Sequence, residues 1–528
     1  MKNLVFWLVL ILITGGAVAA ILGFTGTPPP PDNPRAHLPL RPDHVNHRGF
    51  FSGPIKDPHA VTRACLECHP DAATQIMATS HWTWESDELI PPGHHEMVRV
   101  GKRNLLNNFC ITVIGNWPRC TSCHIGYGWK DMSFDFKKKD NVDCLVCHDH
   151  SGTYVKDPKG AGYPAASVNL LTCAESVGIP TRRNCGACHF RGGGGDAVKH
   201  GDLDNSLILP SVKVDVHMGK FGFECVDCHR TKDHQIPGCA MSVTPYKKLR
   251  VECTDCHAPR PHADERLNAH VTTVACQTCH IPFFAVDDPT KMTWDWSQAG
   301  KSAAELKRDN PELFRRVMEH WKPSEEVKKL PPAEREKKAL EFFMDYLTEN
   351  HLYLKIKGLF TLAKMVVPEY YWYNGKAYRY LMGDKIDPSK HVVLARPIGS
   401  IRDPKAKIYP FKVHRAVQPY DKKYNYLLYP KLYGEGGFWS DFDWDKAFRL
   451  GAKASGLKYS GEYGWVHTDM WWPIDHMVAQ KQGALQCVDC HSPKGRLDWK
   501  ALGYDHDPAF SGTRYFMEMP LGCKDGGK

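Results

Sequence analysis

Long apolar runs are almost absent from this 528-residue sequence. The one run long enough to cross a bilayer comprises the 21 residues from Leu4 to Phe24, with Lys2 before it. Ala17-Val18-Ala19 matches a signal-peptidase site, so a cleaved signal is the alternative. Because the apolar residues continue past that site, we favour an uncleaved anchor. In either case the rest of the chain is predicted to be exported. It is then periplasmic and anchored to the inner membrane, or soluble in the periplasm after cleavage.

Few cysteines lie outside one recurring pattern. Sixteen of the 20 cysteines fall in eight Cys-x-x-Cys-His sequences, and Cys110, Cys173, Cys239 and Cys523 remain. In chain order the eight motifs are Cys65-x-x-Cys68-His69, Cys120-x-x-Cys123-His124, Cys144-x-x-Cys147-His148, Cys185-x-x-Cys188-His189, Cys225-x-x-Cys228-His229, Cys253-x-x-Cys256-His257, Cys276-x-x-Cys279-His280 and Cys487-x-x-Cys490-His491. The first seven lie within residues 65–280, and the eighth is far downstream.

This spacing suits covalent attachment of c-type haem. Two thiols add to the porphyrin vinyl groups, and the adjacent imidazole becomes the proximal iron ligand. Zinc ribbons are the alternative, but their cysteine pairs need no following histidine. With 28 histidines in 528 residues, a histidine after all eight pairs has a chance probability on the order of one in 10^10. The sequence therefore predicts eight covalently bound c-type haems, with all eight motif histidines as iron ligands.

Residues 65–280 have too few side chains per haem for an ordinary core. Seven motifs in this segment leave about 31 residues for each haem. The macrocycles themselves must then be the core, joined by short helices and long irregular connections. The predicted fold class is mainly α with extensive irregular structure. It is a multihaem cytochrome c fold whose haems form the core, with one small β-hairpin in addition.

The sequence also predicts no large net charge once the haems are counted. The formal charge is +9, but each oxidised haem adds roughly −1 through its two propionates. The oxidised protein is therefore close to neutral, and its basicity is no argument for a nucleic-acid partner. Thioether-linked haem again indicates a location outside the cytoplasm.

Histidines that can serve as distal ligands number one fewer than the irons. Of the 20 histidines outside the motifs, four occur near the Pro-rich stretch Pro28–Pro31 and are predicted to be solvated: His37, His44, His47 and His59. Seven others are distal-ligand candidates: His81, His200, His217, His234, His262, His270 and His476. One iron would then have a different sixth ligand or an open position, as an enzyme requires.

No haem motif occurs in the 206 residues between His280 and Cys487. Asn310 with Pro311 predicts a helix start, and a second helix is predicted from about Pro332 to Thr348. Asn374-Gly375 between two aromatic-rich stretches predicts a hairpin. We interpret this insert as a cover or docking surface. The predicted units are an anchor or signal (1–26), a Pro-rich linker (27–60), a seven-haem core (61–290), the haem-free insert (291–470) and an eighth-haem segment with a tail (471–528).

Several segments resemble the octahaem tetrathionate reductase family, relatives of pentahaem nitrite reductases and hydroxylamine oxidoreductases. The matching segments are His81-Trp-Thr-Trp-Glu85, Asn107-Asn-Phe-Cys110, Cys120 through Lys130, Gly192 through Asp202, Trp294-Asp-Trp296, Val367-Pro-Glu-Tyr370 and Trp472-Pro-Ile-x-His476. They span roughly residues 60–300 and 365–495. The N-terminal apolar run and the charged stretch at about 302–354 depart from the family pattern.

The resemblance implies that the haem on Cys120 and Cys123 is catalytic, with the amine of Lys199 as its sixth ligand. Lys199 follows four consecutive glycines, which permit close approach to a flat ligand. Taken alone, it is an ordinary solvated loop lysine. The resemblance further places Cys110, Asn107 and Asp196 at the substrate pocket and makes the other seven irons bis-histidine.

The expected activity is reduction of a small-molecule oxyanion, tetrathionate or also nitrite or hydroxylamine. The expected partner is an electron-donor protein or a quinol-linked cytochrome. One alternative is a non-catalytic conduit between the membrane quinone pool and a periplasmic acceptor, with every iron bis-histidine. Another is hydroxylamine oxidation at a haem that bears a tyrosine crosslink, but the sequence identifies no such tyrosine.

Overall fold

The structure is a computed structural model that describes residues 38, 44–51, 53–192, 194–238, 240–241 and 250–511. The predicted anchor, much of the predicted linker, His37, Cys239 and Cys523 lie outside these residues. In the described part of the chain, no helix is both long and apolar enough to span a membrane.

The half of the chain that carries the first seven motifs consists of short helices and irregular connections, as predicted. Its helices are α1 (Pro58–Cys68), α2 (Ala72–Met77), α3 (Ser80–Thr83), α4 (Trp117–Cys120), α5 (Leu145–His148), α6 (Leu170–Glu175), α7 (Arg182–His189), α8 (Val216–Phe221), α9 (Cys225–Cys228), α10 (Glu265–His270) and α11 (Cys276–His280). Several motif pairs lie within one such helical turn. Residues three apart on a helix share a face, so the two sulfurs of a motif point the same way.

Four helices follow in the charged stretch: α12 (Ala303–Asp309), α13 (Pro311–Met318), α14 (Glu325–Lys328) and α15 (Pro332–Glu349). Asn310 is the N-cap of α13, and Pro311 is its first residue. Both predicted helices are therefore confirmed. Val317, Phe343 and Leu347 of their apolar faces are buried in one cluster with Leu306. The remaining helices are α16 (Phe438–Asp441), α17 (Trp444–Ser455), α18 (Cys487–Cys490) and α19 (Pro508–Ser511).

A nine-stranded mixed sheet organises the second half of the chain. Its strands are β1 (Thr290–Asp295), β2 (Tyr353–Leu354), β3 (Gly358–Ala363), β4 (Glu369–Tyr373), β5 (Lys376–Arg379), β6 (Val392–Ile398), β7 (Lys407–Asp421), β8 (Tyr426–Leu427) and β9 (Tyr463–Pro473). The order is β2-β3-β1-β7-β9-β6-β5, with β4 and β8 also paired to β7. The 15-residue β7 is central, because β9 runs antiparallel along one edge while β4, β1 and β8 share the other.

The sheet corrects the predicted fold class. The chain is 31% helix and 16% strand, so it is not mainly α with a single small hairpin. The sheet also carries a conventional side-chain core around the buried Trp294, Trp296, Leu394 and Trp472. Strand residues far apart in sequence build this core, and single-segment patterns do not reveal their pairing.

The predicted hairpin is wrong in its pairing. Asn374 and Gly375 do reverse the chain, and Gly375 has φ +88°, a conformation that favours glycine. However, β4 pairs with β7 and β5 pairs with β6. The turn residues fix only the local reversal, whereas burial of Trp372 and Ala377 on different neighbours decides the strand partners.

Candidate active site

Seven motif histidines each face a second imidazole ring. The pairs and their centroid distances are His69–His47 at 6.4 Å, His148–His234 at 6.4 Å, His189–His81 at 6.0 Å, His229–His476 at 6.3 Å, His257–His217 at 6.1 Å, His280–His262 at 6.1 Å and His491–His270 at 6.2 Å. A metal–imidazole bond of about 2.0–2.1 Å on each side puts two such centroids about 6 Å apart. Each pair therefore has the spacing for one hexacoordinate iron.

Hydrogen bonds orient several of these rings. His148 Nδ1 donates to the Gly178 carbonyl at 2.9 Å, and His229 Nδ1 donates to the Pro237 carbonyl at 2.7 Å. His491 Nδ1 donates to Asp507 Oδ1 at 2.5 Å. Such contacts fix the tautomer and leave Nε2 directed at the opposite ring, the usual arrangement for a metal-binding histidine.

The rings that face the motif histidines differ from the predicted distal ligands at one position. Six of the seven candidates lie in the pairs, but His200 does not. His200 is half-buried, and the centre of its ring lies 4.9 Å from that of Trp472. His47, predicted to be solvated, takes the seventh place because the chain at residues 44–51 folds back onto the first motif. Nothing in the residues around His47 marks it, since this contact is purely tertiary.

The second motif differs from the other seven. Among the described residues, no other histidine ring faces His124, which is enclosed by the aromatic rings of Trp82, Trp84, Trp129 and Phe134. His124 Nε2 lies 2.7 Å from the Trp82 carbonyl, and Nδ1 is buried without a partner. Burial lowers the pKa of His124 to about 3. Ligation through Nε2 requires this ring to give up its bond to Trp82.

Motif cysteines also bring different motifs together. Four pairs of thiols from different motifs lie close enough to affect each other's pKa: Cys65 with Cys144, Cys123 with Cys188, Cys185 with Cys225, and Cys253 with Cys276. Three further contacts complete the series: Asn184 Nδ2 to the Asp149 carbonyl, Arg230 Nη2 to Cys256 Sγ, and the Leu485 amide to the Cys279 carbonyl. Contacts made by the motifs or by residues within two positions of them therefore connect all eight, with the second and the third motif both attached to the fourth.

The sheet holds the glycine-rich loop that carries Lys199. Lys412 Nζ donates to the Val198 carbonyl at 2.7 Å, Thr290 Oγ1 to the Ala197 carbonyl at 2.5 Å, and Lys357 Nζ to the Gly194 carbonyl at 3.2 Å. Gly194 has φ +83°, and a Cβ there would lie 2.8 Å from the Phe109 carbonyl oxygen. Only glycine permits this close approach.

Lys199 lines a small cavity of about 30 Å³. Two other cations, Lys102 and Arg379, line it together with Asn107 and Trp472. Lys199 Nζ lies 5.2 Å from the centre of the Trp472 ring. Burial first, and then the like charge of Lys102, lowers the pKa of Lys199 to about 7. The cavity is therefore a buried, cationic site next to the second motif, whose Cys123 interacts electrostatically with Lys199.

The structure separates the other predicted pocket residues. Asn107 Oδ1 accepts a hydrogen bond from the Cys110 amide at 2.6 Å, which fixes the turn that carries the thiol. Cys110 lies against Cys120 of the second motif. Asp196 is exposed instead and accepts a hydrogen bond from Asn205 Nδ2 at 2.8 Å. Its carboxylate is not among the groups that line the Lys199 cavity.

Comparison with known proteins decides what these motifs are. A family model described as bacterial cytochrome c matches residues 291–494. The solved structure of an octahaem cytochrome c from Shewanella oneidensis is 47% identical, covers 88% of this chain and 98% of that chain, and superposes with a TM-score of 0.75. The chain belongs to the octahaem c-type cytochromes. An uncharacterized protein of Archaeoglobus fulgidus is also similar, at 25% identity over 223 residues, 33% of this chain and 74% of that one.

This octahaem cytochrome therefore carries covalently bound c-type haems and acts in oxidoreduction or electron transfer. The residues fit the haems at seven motifs directly, because each has two thiols and an imidazole pair at iron spacing. At the second motif both thiols are present and Cys123 interacts electrostatically with Lys199, while the ring of His124 is turned toward Trp82.

The neighbours of the Cys110 thiol act on its pKa in opposite directions. The free thiol of Cys120 lowers this pKa most, burial raises it, and the nearby cations Lys357, Lys102 and Arg119 lower it. A Cys120 thioether has no proton to donate. In the haem-bound octahaem cytochrome, burial therefore raises the pKa of Cys110 and only the three cations lower it.

Sequence reasoning missed Lys102, Lys412 and Arg379. Arg379 offered a signal, because alternation along β5 puts Arg379 on the same face as the buried Ala377. A charged residue on a buried strand face is uncommon unless it has a partner. Lys102 and Lys412 offered none, because only the tertiary fold brings them to the Lys199 loop.

Proposed function

We propose that this octahaem cytochrome reduces a small sulfur or nitrogen oxyanion at the haem on Cys120 and Cys123. Tetrathionate is the leading substrate, with nitrite and hydroxylamine as further candidates. One observation carries the proposal: seven motif histidines face another imidazole, whereas among the described residues His124 faces none. The iron at the second motif is then open to a displaceable ligand, and Lys199 lies in a cationic cavity beside that motif.

The seven facing imidazoles supply the distal ligands of the other irons in this proposal. His47 then belongs to the first haem, and His476 to the fifth haem rather than the eighth. The bound haems supply electrons one at a time and, at the second motif, an iron position where substrate can replace a ligand. The continuous contacts among the eight motifs support electron delivery to that position.

Lys199 has two roles in this mechanism. It can ligate iron only as the neutral amine, and its burial favours that form. An amine is easier to displace than an imidazole held by a second hydrogen bond. A displaced amine would take a proton, and the resulting ammonium would attract an anionic substrate. The loop bonds from Lys412 and Thr290 keep Lys199 within reach throughout.

Cys110 suits the sulfur chemistry of tetrathionate. Two electrons divide the central S–S bond of the dianion and release two thiosulfate dianions, with no net proton uptake. A Cys110 thiolate can attack one central sulfur, release the first thiosulfate and form a mixed disulfide. Two electrons then break that disulfide, which releases the second thiosulfate and restores the thiolate. The cations Lys357, Lys102 and Arg119 favour the thiolate form.

The second candidate function is a non-catalytic electron conduit. The unbroken series of motif contacts favours it, since such a series carries electrons whether or not a substrate binds. Mixing the reduced protein separately with tetrathionate, nitrite and hydroxylamine, and timing haem reoxidation, tests the two. Fast reoxidation by at least one of them supports the reductase. Reoxidation only by another redox protein supports the conduit.

We further propose a periplasmic location, with residues 4–24 as a membrane anchor. The apolar length of that run supports an anchor. In this setting the electron donor is a redox protein or a quinol-linked cytochrome of the membrane.

A further inference from the structure

Arg379 is a buried cation without a partner for much of its guanidinium. It is only 1% exposed, and neither Nε nor Nη1 has a hydrogen-bond partner. A buried charge with unpaired donors is strongly unfavourable unless something completes it. A bound anion would remove this unfavourable energy.

Among the described residues, no anionic side chain pairs with the Arg379 guanidinium. In the part of the chain that the structure describes, no carboxylate forms a salt bridge with Arg379, and the charges that act on its pKa are those of Tyr429 and Tyr378. Asp384 is bonded instead to the Leu381 amide at 2.7 Å. Burial lowers the pKa of Arg379 to about 9, so the guanidinium is still protonated at neutral pH.

The direction of Arg379 is set by the sheet. It lies at the end of β5, paired with Ala395 of β6, and its side chain lines the same cavity as Lys102 and Lys199. Three cations therefore meet in one cavity whose remaining lining is Asn107 and mainly apolar side chains. Such a cavity attracts anions, and the planar guanidinium can bind two oxygens at once.

We propose that Arg379 binds the oxyanion substrate in the Lys199 cavity and makes the site select anions over neutral molecules. This inference rests on the proposed function and adds the residue that determines its substrate class. A sulfonate end of tetrathionate and the two oxygens of nitrite both match the guanidinium fork. Hydroxylamine, which is neutral, gains nothing from it.

A haem propionate presents the same two-oxygen anion. If Arg379 binds a propionate, its replacement changes the field at one haem and hence one midpoint potential. If Arg379 binds substrate, its replacement changes the affinity for anions and leaves the potentials in place. One set of variants therefore distinguishes a haem propionate from a substrate as the anion that Arg379 binds.

The test uses the holoprotein with Arg379→Gln and Arg379→Lys. The matched control is Arg396→Gln, which removes an exposed arginine of the neighbouring strand β6. Intact mass and the low-spin haem spectrum confirm that each variant is folded and carries eight haems. The measurements are KM and kcat for tetrathionate, nitrite and hydroxylamine, the haem midpoint potentials, and a titration of the oxidised protein with tetrathionate.

We expect Arg379→Gln to raise KM for tetrathionate and nitrite by about 10-fold to 100-fold, the loss of one charge-assisted hydrogen-bonding group. KM for hydroxylamine should change less than about two-fold, a difference too small to reflect a lost hydrogen bond. Arg379→Lys should fall between the wild type and Arg379→Gln, because it keeps the charge and loses the fork. The Arg396→Gln control should match the wild type.

Equal losses with all three substrates would mean a structural role and would overturn the proposal. A shifted midpoint potential with unchanged anion affinity would assign Arg379 to a propionate and overturn it as well. If the wild type reduces none of the substrates, the proposed function fails, and the titration of oxidised protein decides the anion site alone. Weaker tetrathionate binding by Arg379→Gln would then uphold the site, and equal binding would reject it.

Discussion

Lys412 Nζ donates a hydrogen bond to the Val198 carbonyl oxygen at 2.7 Å, across 214 residues of sequence. Val198 immediately precedes Lys199, so the central strand of the sheet fixes the loop of the proposed iron ligand. The same ammonium also donates to Thr290 Oγ1 at 2.5 Å. The haem-free insert thus contributes to the candidate active site, because its Lys412 supports the loop that carries Lys199.

Lys412→Met should loosen this support. The substitution keeps most of the buried volume but removes both hydrogen bonds and leaves the Val198 carbonyl unpaired. We expect a loss of about 1–3 kcal/mol in the free energy of unfolding, measured by thermal denaturation, and a changed spectrum of one iron only. Lys390→Met is the control, because Lys390 is on the surface in a pair with Asp387. An unchanged spectrum in Lys412→Met would contradict the positioning role.

Lys199→Ala should leave eight haems attached and change the spectrum of one iron. Turnover should fall by about 10^2–10^3, the usual loss when a group that positions or polarises substrate is removed. Lys213→Ala replaces an exposed lysine of the same half of the chain and serves as the control. Full activity together with an unchanged spectrum in Lys199→Ala would favour the conduit.

We expect opposite spectroscopic results from the replacement of His47 and the replacement of His200. His47→Ala should convert one low-spin iron to high spin, because the His47 ring faces His69 at a centroid distance of 6.4 Å. His200→Ala should keep every low-spin signal, because its ring packs on Trp472 instead. Electron paramagnetic resonance of the oxidised variants measures both. Loss of a low-spin signal in His200→Ala alone would reverse the assignment.

The rate of tetrathionate reduction should fall at low pH, which gives its rate–pH profile an acid limb, because the reaction uses the Cys110 thiolate. The nearby cations lower the pKa of the thiol, so the thiolate is present above that pKa and is lost as the pH falls through it. Lys357→Met removes one of these cations, raises the pKa and should move the limb to higher pH. Rate–pH profiles with tetrathionate and nitrite measure this.

Nitrite reduction should lack the limb, and Cys110→Ala should reduce the rate with tetrathionate more than the rate with nitrite. Equal losses with both substrates would mean that the thiol only shapes the pocket. A limb that survives in Cys110→Ala would belong to another group.

The N-terminal run has a direct chemical test. N-terminal sequencing of protein purified from its native membrane fraction should find a chain that retains residues 4–24. A mature terminus at Ala20 would instead mean a cleaved signal and a soluble periplasmic protein.

The motifs and the short helices could be read from single segments. Covalent haem attachment needs only two cysteines and a histidine within five residues, and the helix that starts at Pro311 is marked by its own cap. The hairpin at Asn374 failed for the opposite reason. Its turn is local, but the partners of β4 and β5 depend on strands that come later in the chain.

The sequence by itself determined that the chain carries covalently bound c-type haems at eight Cys-x-x-Cys-His motifs. Only the tertiary structure places the ring of His47, and not that of His200, opposite a motif histidine, because this contact is made through space and follows no spacing rule. It likewise decided that Lys102, Lys199 and Arg379 meet in one cavity. No local pattern records that meeting, because the three residues lie on separate segments that only the packing of the sheet and the loops brings together.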